Sequence, residues 1–274
     1  MMSHQLLLFL GYTARLSVWL IILAAIFVPL ERLFALRPLP ILRPGLLEDL
    51  GLYFLNGLVA AFLLGVPLAF VAAIAVNIIP EAYYSQVDML PLWAKLGAIF
   101  AIGECGFYWG HRWSHEWAWL WHFHSIHHQP NALDWLVNTR AHPIDIIFTR
   151  LCGLVPVYVL GLARPGAASD NIGPLLLTLG GTVWSFFIHA NLRWRLGWIE
   201  QVISSPRFHH WHHSREINVN RNYAPMLPVY DRIFGSFYLP ATAWPQHYGI
   251  RSASILATAP SPPLPGDIQT LPPQ

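Results

Sequence analysis

Charge is what this sequence has least of. Only 11% of its 274 residues are Asp, Glu, Lys or Arg, against roughly 25% in soluble domains. With 55% hydrophobic residues, the chain carries more apolar surface than a soluble fold can hide, so a membrane protein is expected. The formal net charge of +2 is too small to suggest nucleic acid as a partner. Cysteine is nearly absent. Cys105 and Cys152 both lie in apolar runs, which excludes a disulfide framework and a four-thiolate metal site. Lys95 is the single lysine among 16 basic residues, a bias that favours a GC-rich bacterial genome.

Apolar runs are plentiful. They cover about 5–30, 50–79, 91–110, 144–162 and 172–190, near the 20 residues a helix needs to cross a bilayer. The first does not read as a signal peptide: no basic segment precedes it, its apolar core is too long and no small-residue cleavage site follows. The last two, split by LARPGAASDN, read as a helical hairpin. The expected fold is an all-α integral membrane protein of about four to five transmembrane helices. A cytosolic helical cap would hold a histidine-rich dimetal site. Residues 1–94 form N-terminal spans and loops, 95–250 a catalytic domain with further spans, and 251–274 a Pro-rich disordered tail. Thirteen Trp and ten Tyr suit rings at the water interface.

Arginine placement gives an orientation. The 32–49 loop, the 111–143 segment and everything after 190 carry 3, 2 and 7 basic residues, or 12 of 16. Only Lys95 and Arg164 fall on the other side, with Arg15 and Arg150 inside runs. The histidines are therefore expected in the cytoplasm, the chain sitting in a bacterial plasma membrane.

Of the 14 histidines, all but His4 and His247 lie between residues 111 and 213. Three clusters stand out: His111 with His115, His124 with His127 and His128, and His209 with His212 and His213. Residues three and four apart share a helix face, so each cluster turns two or three imidazoles to one side. Neutral imidazole is a strong ligand for iron, zinc or copper. These eight, with His189 at a helix end, are too many for one ion and enough for two. A Glu-x-x-His carboxylate pattern is missing, so the metals would be held mainly by nitrogen. His142 is a possible extra ligand, and Glu104, Asp134 and Asn191 are candidates to support one. Asp145 could also fix an imidazole. His122 and His210 fall outside the patterns. His210 sits about 100° around a helix from His209, so its replacement should do much less than that of its neighbours.

The order and spacing resemble the fatty acid hydroxylase/sterol desaturase superfamily of membrane di-iron oxygenases. Its boxes HxxxH, HxxHH and HxxHH match His111–His115, His124–His128 and His209–His213. Further likenesses are Leu133-Asp134 through Arg140-Ala-His-Pro143, His189-Ala-Asn191, and Asn222-Tyr223 followed by DRIFGSFY from Asp231. The resemblance covers roughly 95–240. It implies two irons (with zinc possible on isolation), O2 as co-substrate, and hydroxylation or desaturation of a C–H bond. The substrate would be a sterol, fatty acyl chain, ether lipid or carotenoid.

Other chemistries fit less well. His115-Glu116 begins like HExxH, but position 119 is Trp. A zinc hydrolase or a non-catalytic metal-binding scaffold remains the alternative. The chain shows no cytochrome b5-like HPGG motif, flavin fingerprint or cysteine cluster, so electrons are expected from a separate ferredoxin or cytochrome b5-like donor. Arginines after residue 190 would suit an acidic donor. The WAWLWHF stretch at 117–123 is a candidate lipid entrance.

Overall fold

The computed structural model describes residues 4–164, 172–215 and 220–250, without the side chains of 60 and 61. The expected tail lies outside the described residues. Among the described residues the chain is helical without a strand, with two isolated bridges, Ala35 to Leu192 and Ser214 to Tyr248. The α-helices are α1 (His4–Phe34), α2 (Leu46–Ile78), α3 (Glu81–Asp88), α4 (Leu92–Glu116), α5 (Ala118–His124), α6 (Pro143–Val159), α7 (Ile172–His189), α8 (Pro206–His212) and α9 (Val229–Ile233). Two 3-10 turns, Trp135–Thr139 and Gly197–Gln201, complete the set.

Three described helices, α1, α2 and α7, are long and apolar enough to cross a membrane. A fourth span results if α3 and α4, bent by 111° at their break, count as one. The described residues thus give three such helices, or four with that pair, against the expected four to five, because α6 has only 17 residues and packs against α2 and α4. Small residues let those backbones approach. A Cβ on Gly106 of α4 would collide with the carbonyl of Cys152 in α6. On α2, Phe62, Val66, Phe70, Ile74 and Ile78 recur every fourth residue and are exposed, a stripe suited to acyl chains and not to water.

The bundle has two poles. At one, Lys95 and Arg164 both pair with Asp88 at the end of α3. At the other lie the C-termini of α1, α4 and α7, the N-termini of α2 and α6, and α8. Phe27 of α1 stacks on Trp135 (5.9 Å, 11°), and both pack on Phe186 of α7. This core fixes the first 3-10 turn against the end of α7, beside the histidines.

Candidate metal centre

Helix geometry delivers the rings. His111 and His115 are one turn apart near the end of α4, with ring centroids 5.2 Å apart. His124 ends α5 and the chain turns on through His127 and His128. His189 is the last residue of α7. The third cluster rides on α8, which starts at Pro206 after Ser205, whose hydroxyl accepts from the Phe208 N–H (3.2 Å).

The structure gathers all nine expected ligands, in two groups. His111, His115, His124, His128 and His212 form one, and His127, His189, His209 and His213 the other. Within each, one ring nitrogen per residue lies within 4.8 Å of the rest. The second and third clusters are each divided: His124 and His128 go one way and His127 the other, while His209 and His213 join His127 and His212 does not. The groups touch through His128 and His213, stacked at 4.4 Å and 24°. Eight of the nine are buried and His111 is half-buried.

Their hydrogen bonds fix where the lone pairs point. Nδ1 of His111 donates to the Tyr223 carbonyl (2.7 Å), His127 to Arg140 (3.1 Å), His189 to Ser185 (2.6 Å) and His212 to Arg221 (2.8 Å). His124 donates to the Asp145 carboxylate (2.9 Å). A neutral ring has one proton, so Nε2 of each carries a lone pair. Yet Nε2 of His127 and of His189 lie 3.1 Å apart with no proton between them. Both ring nitrogens of His115, Nε2 of His212 and Nδ1 of His209 are buried without a hydrogen-bond partner. Protonation offers no relief, since burial holds the pKa values of His127, His128, His209, His212 and His213 far below the usual imidazole range. Facing lone pairs become favourable around a cation, and this all-nitrogen donor set fits one that imidazole binds well.

The neighbouring candidates are sorted differently. Asp145 does fix an imidazole, and Ser114 donates to its other oxygen (3.1 Å). Glu104 reaches no histidine; it accepts from the Met226 N–H (2.9 Å) and braces the 225–228 segment. Asp134 pairs with Arg43 and caps the first 3-10 turn. Asn191 bonds to the Arg37 backbone and donates its N–H to Glu31 (2.8 Å). His142 caps α6, accepting from the Ile144 N–H (3.2 Å), and lies outside both groups. The carbonyls of Arg140, Ser185, Arg221 and Tyr223 escaped sequence reasoning because a backbone acceptor has no side-chain signature.

His210 also lies outside both groups, but it is no loose end. It is buried, and burial pushes its pKa down to about 3. The neutral ring donates from Nε2 to the Ala190 carbonyl (3.1 Å) and accepts the Tyr248 hydroxyl at Nδ1 (2.8 Å). His210→Ala should leave metal content unchanged and cost about 1–3 kcal/mol, because both partners lose their bonds in a buried place. Thermal unfolding beside metal analysis checks this, and a loss of metal without loss of stability would contradict it.

Trp121 packs on His115 (5.2 Å) and His128 (5.7 Å), while Trp117 and Trp119 are exposed. The proposed entrance stretch is thus split between the site and the surface. A separate apolar groove of about 560 Å3 lies between α4 and α6, lined by Cys105, Trp109, Trp113, Cys152, Val155 and Pro156. Trp109 lies two residues from His111, about 200° around the helix. The groove therefore faces away from the histidines.

Comparison with known proteins agrees with this geometry. A family model described as fatty acid hydroxylase matches residues 96–236, more than half of the chain and a range containing all nine grouped histidines. The chain is 34% identical over 168 residues to ornithine lipid hydroxylase OlsE of Rhizobium tropici, covering 58% of this chain and 47% of that protein. It is 30% identical over 140 residues to alkylglycerol monooxygenase of Danio rerio, covering 49% and 28%. To methylsterol monooxygenase 2-2 of Arabidopsis thaliana it is 29% identical over 162 residues, covering 54% and 55%. In each case the match spans about half or less of the relative's length. No solved structure matches. With the matched range enclosing every histidine of the two groups, the chain belongs to the fatty acid hydroxylase family.

Proposed function

We propose that this chain is a membrane-bound, O2-dependent di-iron oxidoreductase that hydroxylates, or desaturates, a C–H bond of a lipid. The observation that carries the reading is the pair of adjoining histidine groups with their lone pairs facing inward. His111, His115, His124, His128 and His212 would hold one iron, and His127, His189, His209 and His213 the other. Iron supplies the redox chemistry by which dioxygen oxidises an unactivated C–H bond. The chain's own work is to orient the rings through Nδ1, keep water from them by burial, and hold the site beside the bilayer.

The names of the relatives, which speak of ornithine lipid, alkylglycerol and methylsterol, support an amphiphile with a long hydrocarbon portion as substrate. In this reading residues 95–250 are the catalytic domain, and α1 and α2 anchor it. The arginines at the histidine pole favour a cytoplasmic site in a bacterial plasma membrane. Arg193, Arg195, Arg215 and Arg232 are exposed there, which suits docking of an acidic ferredoxin or cytochrome b5-like donor.

Lipid mass spectrometry of cells with and without the gene, grown with and without oxygen, tests the reading. The expected result is a lipid that gains one oxygen atom, or loses two hydrogens, only when both gene and oxygen are present. Bound metal with no such product would instead favour a metal-binding scaffold, and an oxygen-independent hydrolysis product a zinc hydrolase.

A further inference from the structure

The family match begins at residue 96, but the four-histidine group is not held by the matched region alone. Residues 139–141 cross from the first 3-10 turn to α6, and each is tied to α2. The Thr139 hydroxyl donates to the Asp49 carbonyl (2.8 Å). The Asn56 amide, two turns further along α2, donates to the Ala141 carbonyl (2.9 Å). Between them the Arg140 guanidinium reaches the same helix start. Its Nε donates to Asp49 Oδ1 (2.5 Å), Nη1 to Glu48 (2.6 Å) and Nη2 to the Gly45 carbonyl (2.9 Å). Only the backbone carbonyl of Arg140 is left over in this arrangement, and it accepts from Nδ1 of His127.

Asp49 is the centre of this splice. It is fully buried, and its second oxygen takes Nη2 of Arg43 at 2.6 Å. A buried carboxylate held by two guanidiniums has little freedom, because moving one partner strands a charge. Gly45 contributes through its left-handed φ of 84°, and a Cβ there would collide with the Arg140 guanidinium.

We propose that Asp49, on a helix outside the family match, is a positioning residue for the four-histidine group. Through Arg140 it fixes the carbonyl that sets the ring plane and tautomer of His127, and so aims the Nε2 lone pair at the metal. The inference rests on the reading that the nine histidines hold two metals. The four-histidine group has no ligand to spare, so a turned His127 ring costs it a quarter of its donors. The five-histidine group does not contact the splice and keeps its affinity.

Cobalt(II) titration of the chelator-stripped, full-length protein in nanodiscs tests this, read by visible d–d absorption and by metal per chain. Wild type takes up two ions. His127→Ala loses one phase of the titration; if it keeps both, the metal reading itself fails. Asp49→Asn weakens that same phase about tenfold, the lower end of what outer-layer partners of a ligand contribute, and leaves the other phase within about threefold. Arg43→Gln removes the ion pairs to Asp49 and Asp134 but keeps Asp49 on Arg140, so it lowers the melting temperature and leaves both phases alone. Should Asp49→Asn fail to fold, Gly45→Ala displaces the same guanidinium without changing any charge, and the same phase weakens. The proposal is overturned if Asp49→Asn, or Gly45→Ala in its place, binds cobalt as wild type does. It is also overturned if Arg43→Gln shifts the phase as much as Asp49→Asn.

Discussion

On the proposed di-iron reading, His127→Ala is expected to abolish lipid oxidation and to leave one metal per chain, against two expected for wild type. The four-histidine group would keep His189, His209 and His213, and nothing else on the described residues offers a replacement within its 4.8 Å compass. His212→Ala gives the informative contrast. Its group falls from five histidines to four, so most of its metal stays while turnover falls. For His127→Ala the fall in product is at least about 100-fold, the upper end of what losing a mere outer-layer partner costs. Product formation and metal per chain, measured on the same purified samples, check both variants. Wild-type turnover in His127→Ala would sink the ligand assignment.

Asp145→Asn has the next largest effect, a loss of about 10–100-fold in metal affinity. Asp145 accepts the Nδ1 proton of His124 (2.9 Å) and the Ser114 hydroxyl (3.1 Å) in a buried place. Asparagine keeps the shape but loses the charge, and charge-assisted hydrogen bonds are roughly twice as strong as neutral ones. It can also present an N–H to a ring that already donates. The His124 ring then loses its fixed tautomer, and its Nε2, 3.2 Å from Nε2 of His128, is no longer held toward the metal. Competition with a chelator, monitored by metal retained, reads the change. Retention equal to wild type would show that Asp145 does not set the ring.

Much of the fold was legible in the sequence. Long apolar runs dictate helices, since a backbone in lipid must satisfy its own hydrogen bonds. Their packing was less legible. The 144–162 run became a 17-residue helix docked on α2 and α4, because hydropathy does not say whether an apolar helix faces lipid or protein. Eight of the nine grouped histidines were legible too, since side chains three and four apart on a helix leave a periodic trace, while His189 was marked by its place at a helix end.

Their division between two groups was not. His212 and His213, at the end of α8, diverge by about 100° around the helix axis, and His127 and His128 part in the turn after α5, so one cluster divides between two groups. Which ring serves which is set by where α4, α7 and α8 meet. His210 makes the same point from the other side. Spacing sets it apart from the clusters, and it lies outside both groups, but spacing is silent on what the opposite face meets. There it bonds Ala190 and Tyr248.

The sequence by itself determined a helical membrane chain and the nine imidazoles. The tertiary structure decided their grouping, their tautomers and the reach of Asp49 toward His127. The physical reason is that periodicity is local to one element. The partners that fix a ring, a backbone carbonyl or a carboxylate on another helix, come together only when distant segments pack.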